Sequence, residues 1–138
     1  MAIMDRTNLF SDGQAITATA ASTNVIDLGA YGITSPRDIG IGTQIPVVTA
    51  VTQSFNNLTS LTISFENDDN AAFSSATTVW TSVPYTLAQL QSGAKYLLPD
   101  YLPAGINERY LRVKYTVAGT APTLGKITVG VAAARQSA

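Results

Sequence analysis

The chain has 138 residues and contains neither cysteine nor histidine, which removes disulfides, thiolate nucleophiles, histidine-based zinc sites and Ser-His-Asp triads from its chemistry. Eight basic and nine acidic residues leave a net charge of −1, the wrong balance for a protein whose affinity comes from neutralising phosphates. Charged residues make up 12% of the chain and apolar ones 46%, so much of a folded surface must be Thr, Ser, Asn and Gln. Such a surface dehydrates easily and suits a protein that works against a partner.

The length is that of one domain, large enough to bury roughly two-thirds of its unfolded surface without covalent staples. Residues 1–11 read as an arm with scattered apolar positions, Ile3, Met4, Leu9 and Phe10, and no partner strand in view. The expectation is a docking element that orders against a neighbouring subunit. Asp5 and Arg6 interrupt the place where a secretory apolar core would sit, and no apolar run approaches the roughly 20 residues of a membrane helix. A soluble protein made in a cytoplasm is expected. Asp12-Gly13 is a turn signal, followed by short strands at 14–20 (QAITATA) and 24–28 (NVIDL).

Residues 45–52 (IPVVTAVT) form a β-branched strand that Pro46 confines to an edge or to the strand's first residues. Residues 59–66 alternate Leu61, Ile63 and Phe65 against Thr62, Ser64 and Glu66. A strand follows at 77–83 (TTVWTSV), then one helical turn at 86–91 (TLAQLQ) closed by Ser92-Gly93, then a strand at 94–98 (AKYLL). Residues 110–117 (YLRVKYTV) place Leu111, Val113, Tyr115 and Val117 on one face. Residues 126–133 do the same with Ile127, Val129, Val131 and Ala133, and the Gly- and Pro-containing stretch 118–124 joins the two as a predicted antiparallel hairpin. The count, about eight short strands, argues an all-β antiparallel sandwich. Its expected limits are residues 12–135, after an arm at 1–11 and before a frayed tail at 136–138.

Candidate chemistry is sparse. Glu66, Asp68 and Asp69 lie in an ENDDN stretch whose carboxylates and Asn carbonyls are of the calcium-ligand type. The spacing is not that of a calcium loop, and a turn held by Asp and Asn side chains is the favoured reading. Asp100 and Glu108 could be imagined as a glycosidase pair, but no cleft is signalled. No enzymatic activity, metal or cofactor is expected. Trp80, Tyr85, Tyr96 and Tyr101 are the side chains a sugar-binding module would stack on sugars. Trp80 faces outward if Val79 faces the core, and inward in the opposite register; outward, it is an anchor-type contact residue. Lys95, Arg109, Arg112 and Lys114 gather positive charge in the C-terminal half, which could steer docking onto an acidic surface or line a solvated strand face. The candidate partner-binding residues are Ile3, Met4, Leu9, Phe10, Trp80, Arg112 and Lys114.

Four stretches, TATAASTNVIDLG at 17–29, AFSSATT at 72–78, RYLRVKYTV at 109–117 and GKITVGV at 125–131, resemble in order and spacing the small cement, or decoration, proteins of short-tailed phage capsids of the Bordetella-phage type. The resemblance implies a jelly-roll sandwich on the outside of an icosahedral virion, bridging capsomers, made in the host bacterium and without catalytic residues. It implies the major capsid protein as partner and a second copy of the chain at local two-fold positions, a trimer remaining open. Neither nucleic acid nor membrane is an expected partner. The alternative is a carbohydrate-binding or receptor-binding module of jelly-roll type.

Overall fold

Period-two alternation becomes strand along Leu58–Asp68, Tyr110–Gly119 and Lys126–Ala132 in the computed structural model, which describes residues 4–28, 42 and 44–132, with side chains from Asn8 onward. Nine strands are found among the described residues: β1 (Met4–Ala15), β2 (Ala20–Ala21), β3 (Ile26–Asp27), β4 (Val47–Gln53), β5 (Leu58–Asp68), β6 (Thr77–Thr81), β7 (Tyr85–Thr86), β8 (Tyr110–Gly119) and β9 (Lys126–Ala132). They form two antiparallel sheets. The first runs β1-β9-β4; the second runs β2-β8-β5-β6, with β3 also on β8 and β7 also on β5. Phe10, Val47, Val51, Ile127 and Val129 of the first sheet meet Leu61, Ile63, Phe65, Leu111, Val113 and Tyr115 of the second in one core, none of them more than 3% exposed. The molecule is an all-β sandwich, as the alternation predicts. Burial of each such side chain contributes about 1.5–3 kcal/mol.

The predicted hairpin at the C-terminal end is not one. β8 pairs with β2, β3 and β5, and β9 with β1 and β4. The apolar faces of the two strands look at each other across the core, so the connection at 120–125 crosses between sheets that stand about 10 Å apart. Asn56, in the loop after β4, straps this crossing down: its Oδ1 accepts from the N–H groups of Thr123 and Leu124 at 2.8 and 3.0 Å. Gly125 (φ 139°) has room for no side chain, because a Cβ there would run into the Phe55 ring.

The expected arm is also corrected. From Met4 onward it is β1, paired with β9. Leu9 and Phe10 are 8% and 0% exposed, and the Phe10 ring meets Phe65 edge-on with centroids 5.9 Å apart. They are core residues, so they cannot reach a neighbouring subunit. Three register shifts interrupt the β1–β9 pairing, which explains why Leu9, Phe10 and Ser11 are buried in succession and why no period was legible. The Asp12-Gly13 signal falls on the last shift: Gly13 (φ 55°) is a bulge inside the strand and no turn between strands. Ile3 and the tail at 136–138 lie outside the described residues, and of Met4 only the backbone is described.

Two further elements differ. Residues 86–91 make only a 3₁₀ turn, Leu87–Gln89. Residues 94–102 lie along β4 without becoming a strand, bridging it at Ala50–Lys95 and the residue just before it at Pro46–Tyr101. Between these bridges Leu97 and Leu98 are both buried in the same core. The left-handed backbone of Tyr96 (φ 63°) breaks the alternation and lets both leucines turn inward.

One buried polar contact ties the layers. The Ser11 hydroxyl donates to Gln14 Oε1 at 2.7 Å, so the Tyr115 hydroxyl, also 2.7 Å away, donates to Ser11 Oγ. Burial pushes the Tyr115 phenol far above its ordinary pKa, and the Ser11 bond offsets only part of that. Ser11→Ala leaves this phenol without a partner and should cost about 2 kcal/mol, whereas Tyr115→Phe removes both the bond and the need for it and should cost about 1 kcal/mol. Urea denaturation of the two variants checks the order; the reverse order would contradict the assigned donor.

Candidate functional site

The outer face of the second sheet carries the charges singled out in the sequence. Strand register sets Glu66 on β5 opposite Arg112 on β8, and Ser64 opposite Lys114. Arg112 Nε and Nη2 both lie 2.8 Å from Glu66 Oε2, and Lys114 Nζ lies 3.7 Å from Oε1. Glu66 is 6% exposed although it sits on an outer face. The cover is Phe73, from the β5–β6 loop, whose ring lies under the Arg112 guanidinium with 4.1 Å from Cζ to centroid. Arg112 is therefore held by Glu66 and Phe73, with 20% of its side chain left exposed. Lys114 keeps a side chain 40% exposed.

Asp68 is what brings Phe73 there. Its carboxylate accepts from the N–H groups of Asn70 and Ser75 at 2.9 and 2.7 Å and from the Ser75 hydroxyl at 3.0 Å. Asn70 Oδ1 in turn accepts from the Ala72 N–H at 2.8 Å. The ENDDN stretch is thus a self-bonded turn. Glu66 is engaged by cations and Asp68 by its own loop, and no cluster of three acidic side chains able to hold a metal is found among the described residues. Burial alone would raise the Asp68 pKa; the hydrogen bonds from Asn70 and Ser75 outweigh it and hold the carboxyl below its ordinary range.

Trp80 stands directly opposite Phe65, so it shares the core-side face of the sheet, with the ring centroids 6.2 Å apart. It is half-buried at the margin and does not face outward at the strand centre. Tyr85 is half-buried too, its hydroxyl donating to Leu97 O at 2.7 Å. Of the four candidate aromatics only Tyr96 and Tyr101 are exposed, both on the segment beside β4. Arg109 forms a two-point pair with Asp27 at 2.9 and 3.0 Å that pins β3 to β8, with both side chains about half exposed.

The model of one protein family, Bbp16, matches residues 10–131. The chain belongs to the Bbp16 family. This is a family of Bordetella-phage type, and membership fits a structural protein of a phage. No curated protein matches the chain. The Bbp16 match begins at the core residue Phe10 and ends in β9, so it takes in both sheets and the crossing between them.

In this Bbp16 chain the charged stack was hidden from sequence reading. Glu66 and Arg112 are 46 residues apart, and only the β5–β8 register makes them neighbours. Phe73 gave no signal of its own, since it lies in a loop between strands. Arg112→Ala strands Glu66 at a poorly solvated position and uncovers Phe73; it should cost about 2–3 kcal/mol, while Lys114→Ala should stay within about 1 kcal/mol. Thermal denaturation of the two separates these roles, and equal effects would contradict them.

Glu108 presents a second electrostatic feature. Its Oε2 is buried, and among the described residues nothing hydrogen-bonds to it. Burial and then the charges of Asp68 and Asp69 push its pKa above the ordinary glutamate value. A carboxyl raised on folding opposes folding above its unfolded pKa, and that penalty disappears as pH falls through the raised value. Asp68 acts in the opposite direction, its contribution being present above the unfolded pKa and lost as pH falls through its lowered one. Glu108→Gln should therefore raise the melting temperature at neutral pH, and the gain should vanish near pH 4. A gain that persists in acid would point to packing instead.

Proposed function

We propose that the protein is a capsid cement protein, bound to the outer face of an icosahedral phage head and bridging neighbouring capsomers. The observation that carries this reading is the Bbp16 match across residues 10–131, both sheets of the sandwich included. The wiring supports it. In chain order β1, β4 and β9 belong to the first sheet, with the 94–102 segment alongside β4, while β2–β3, β5, β6–β7 and β8 belong to the second, β5 and β6–β7 following each other within it. This order of crossings supports the jelly-roll reading. The partners are the major capsid protein and, at two-fold positions, a second copy of the chain.

The mechanism is linkage. A contact that exists only in the assembled shell stabilises that shell by mass action, by about 2.7 kcal/mol per site when the free protein stands at 100 times its dissociation constant. Copies repeat over the lattice, so each interface can be modest. A surface with few charges lowers the desolvation cost of such contacts. No catalytic residue, cofactor or metal enters this mechanism. The carbohydrate-binding alternative needs a platform of coplanar exposed aromatics, and the inward packing of Trp80 and Tyr85 leaves it, of its four candidate aromatics, Tyr96 and Tyr101.

Heads carrying the protein and heads stripped of it should differ in heat resistance. DNA release followed by a dye during a temperature ramp should occur at a higher temperature in the decorated heads, and the rise should reach its maximum only at full occupancy. Release of both at one temperature would sink the cement reading.

A further inference from the structure

Sheet edges carry backbone N–H and C=O groups that the sheet itself leaves unpaired. In this sandwich most of them are covered. Along β4 the 94–102 segment accepts from Val47 N and Val51 N at 3.0 and 2.9 Å, through Asp100 O and Ala94 O. Along β1 the Asn24 N–H donates to Phe10 O at 3.0 Å, and Gln14 Nε2 donates to Ala21 O at 2.9 Å, which occupies β2 as well. β3 is two residues long and closed by the Asp27–Arg109 pair. The outer edge of β6 is different: among the described residues nothing hydrogen-bonds to it, and Thr77, Thr78 and Thr81 are exposed.

The orientation of this edge follows from one bond. Ser82 N donates to Ile63 O on β5 at 2.8 Å, so the backbone of Thr81, one residue before it, turns away from β5. The edge is also unguarded by charge. Residues 71–94 contain no Asp, Glu, Lys or Arg, in a chain that places charged residues on either side of this stretch at Asp69 and Lys95. Exposed edges of soluble proteins are usually blunted by charges. Here the guards are a register shift at Val79 and the proline at position 84. Threonine, valine and tryptophan give the stretch high strand propensity, and Val83, 68% exposed, extends it as an apolar contact.

We propose that the β6 edge is a docking strand that takes an extended, uncharged segment of the shell subunit as an added antiparallel strand. This rests on the cement reading and says where on the molecule the shell is gripped. A strand is the occupant because alternating donors and acceptors are met in full only by another backbone. An uncharged segment is the one that a charge-free edge accepts without leaving a charge unpaired. A flexible segment fits better than the β6 edge of a second copy: the register shift at Val79 breaks the spacing of the edge, and two rigid edges would have to match both breaks at once.

The test uses heads that lack the protein, mixed with wild type, Thr81→Lys and Thr81→Pro. Thr81→Pro removes an outward N–H and no bond to β5, and Thr81→Lys keeps that N–H and adds a charge to the edge. Both variants are first required to melt with the wild type. Each should bind heads at least about tenfold more weakly, and hydrogen exchange at the Thr81 amide of wild type should slow when the protein is on the head. Equal binding by all three, with unchanged exchange, overturns the docking strand and leaves the cement reading intact. Failure of wild type itself to bind overturns both. Should a variant misfold, the exchange rate of wild type decides: slowed exchange supports the added strand and unchanged exchange overturns it.

Discussion

β8 and β9 follow each other in the chain yet lie inside different sheets, so the six residues at 120–125 carry the relation between the two layers. Everything else is arranged around that crossing. Asn56 clamps it to the loop between β4 and β5, another short crossing between the layers. Gly125 lets the Phe55 ring close against it. With no cysteine in the chain, the layers hold by apolar contact and by the Tyr115–Ser11–Gln14 chain of hydrogen bonds, which runs from β8 through β1 toward residues 21–23.

The scarcity of charge has a structural counterpart. Several of the charges present are used within the molecule: Glu66 with Arg112 and Lys114, Asp68 with its own loop, Asp27 with Arg109. Asp12, Asp69, Lys95, Asp100 and Lys126 stay exposed outside these pairs, and residues 71–94, β6 included, carry no charge at all. The arrangement fits a protein that meets its partner through shape and backbone more than through long-range attraction. It also makes Arg112 and Lys114 unequal, one holding the outer face of the sheet together and the other only flanking it.

The strands that could be read from the sequence were those whose side chains alternate without interruption. Leu61, Ile63 and Phe65, and Leu111, Val113 and Tyr115, face the core as their spacing predicts. Where the chain departs from period two, reading failed for a physical reason in each case. Bulges in β1 hid a strand behind Met4, Leu9 and Phe10, and the backbone turn at Tyr96 put Leu97 and Leu98 on the same side. The β8–β9 hairpin was misread because alternation tells which face of a strand is buried and is silent about which strand it pairs with. The charged residues were visible, but their partners depend on the β5–β8 register and on the fold of the 69–76 loop, neither of which a local pattern encodes. The family resemblance and the Bbp16 match point the same way on phage origin, and the resemblance supplied the cement role that the proposal develops.

The most direct test of that role is a co-sedimentation titration of the purified protein against heads assembled without it. The account predicts saturable binding at a fixed ratio of protein to shell subunit, set by the lattice. Protein that stays in the supernatant at every concentration, or that pellets without reaching a plateau, would contradict it.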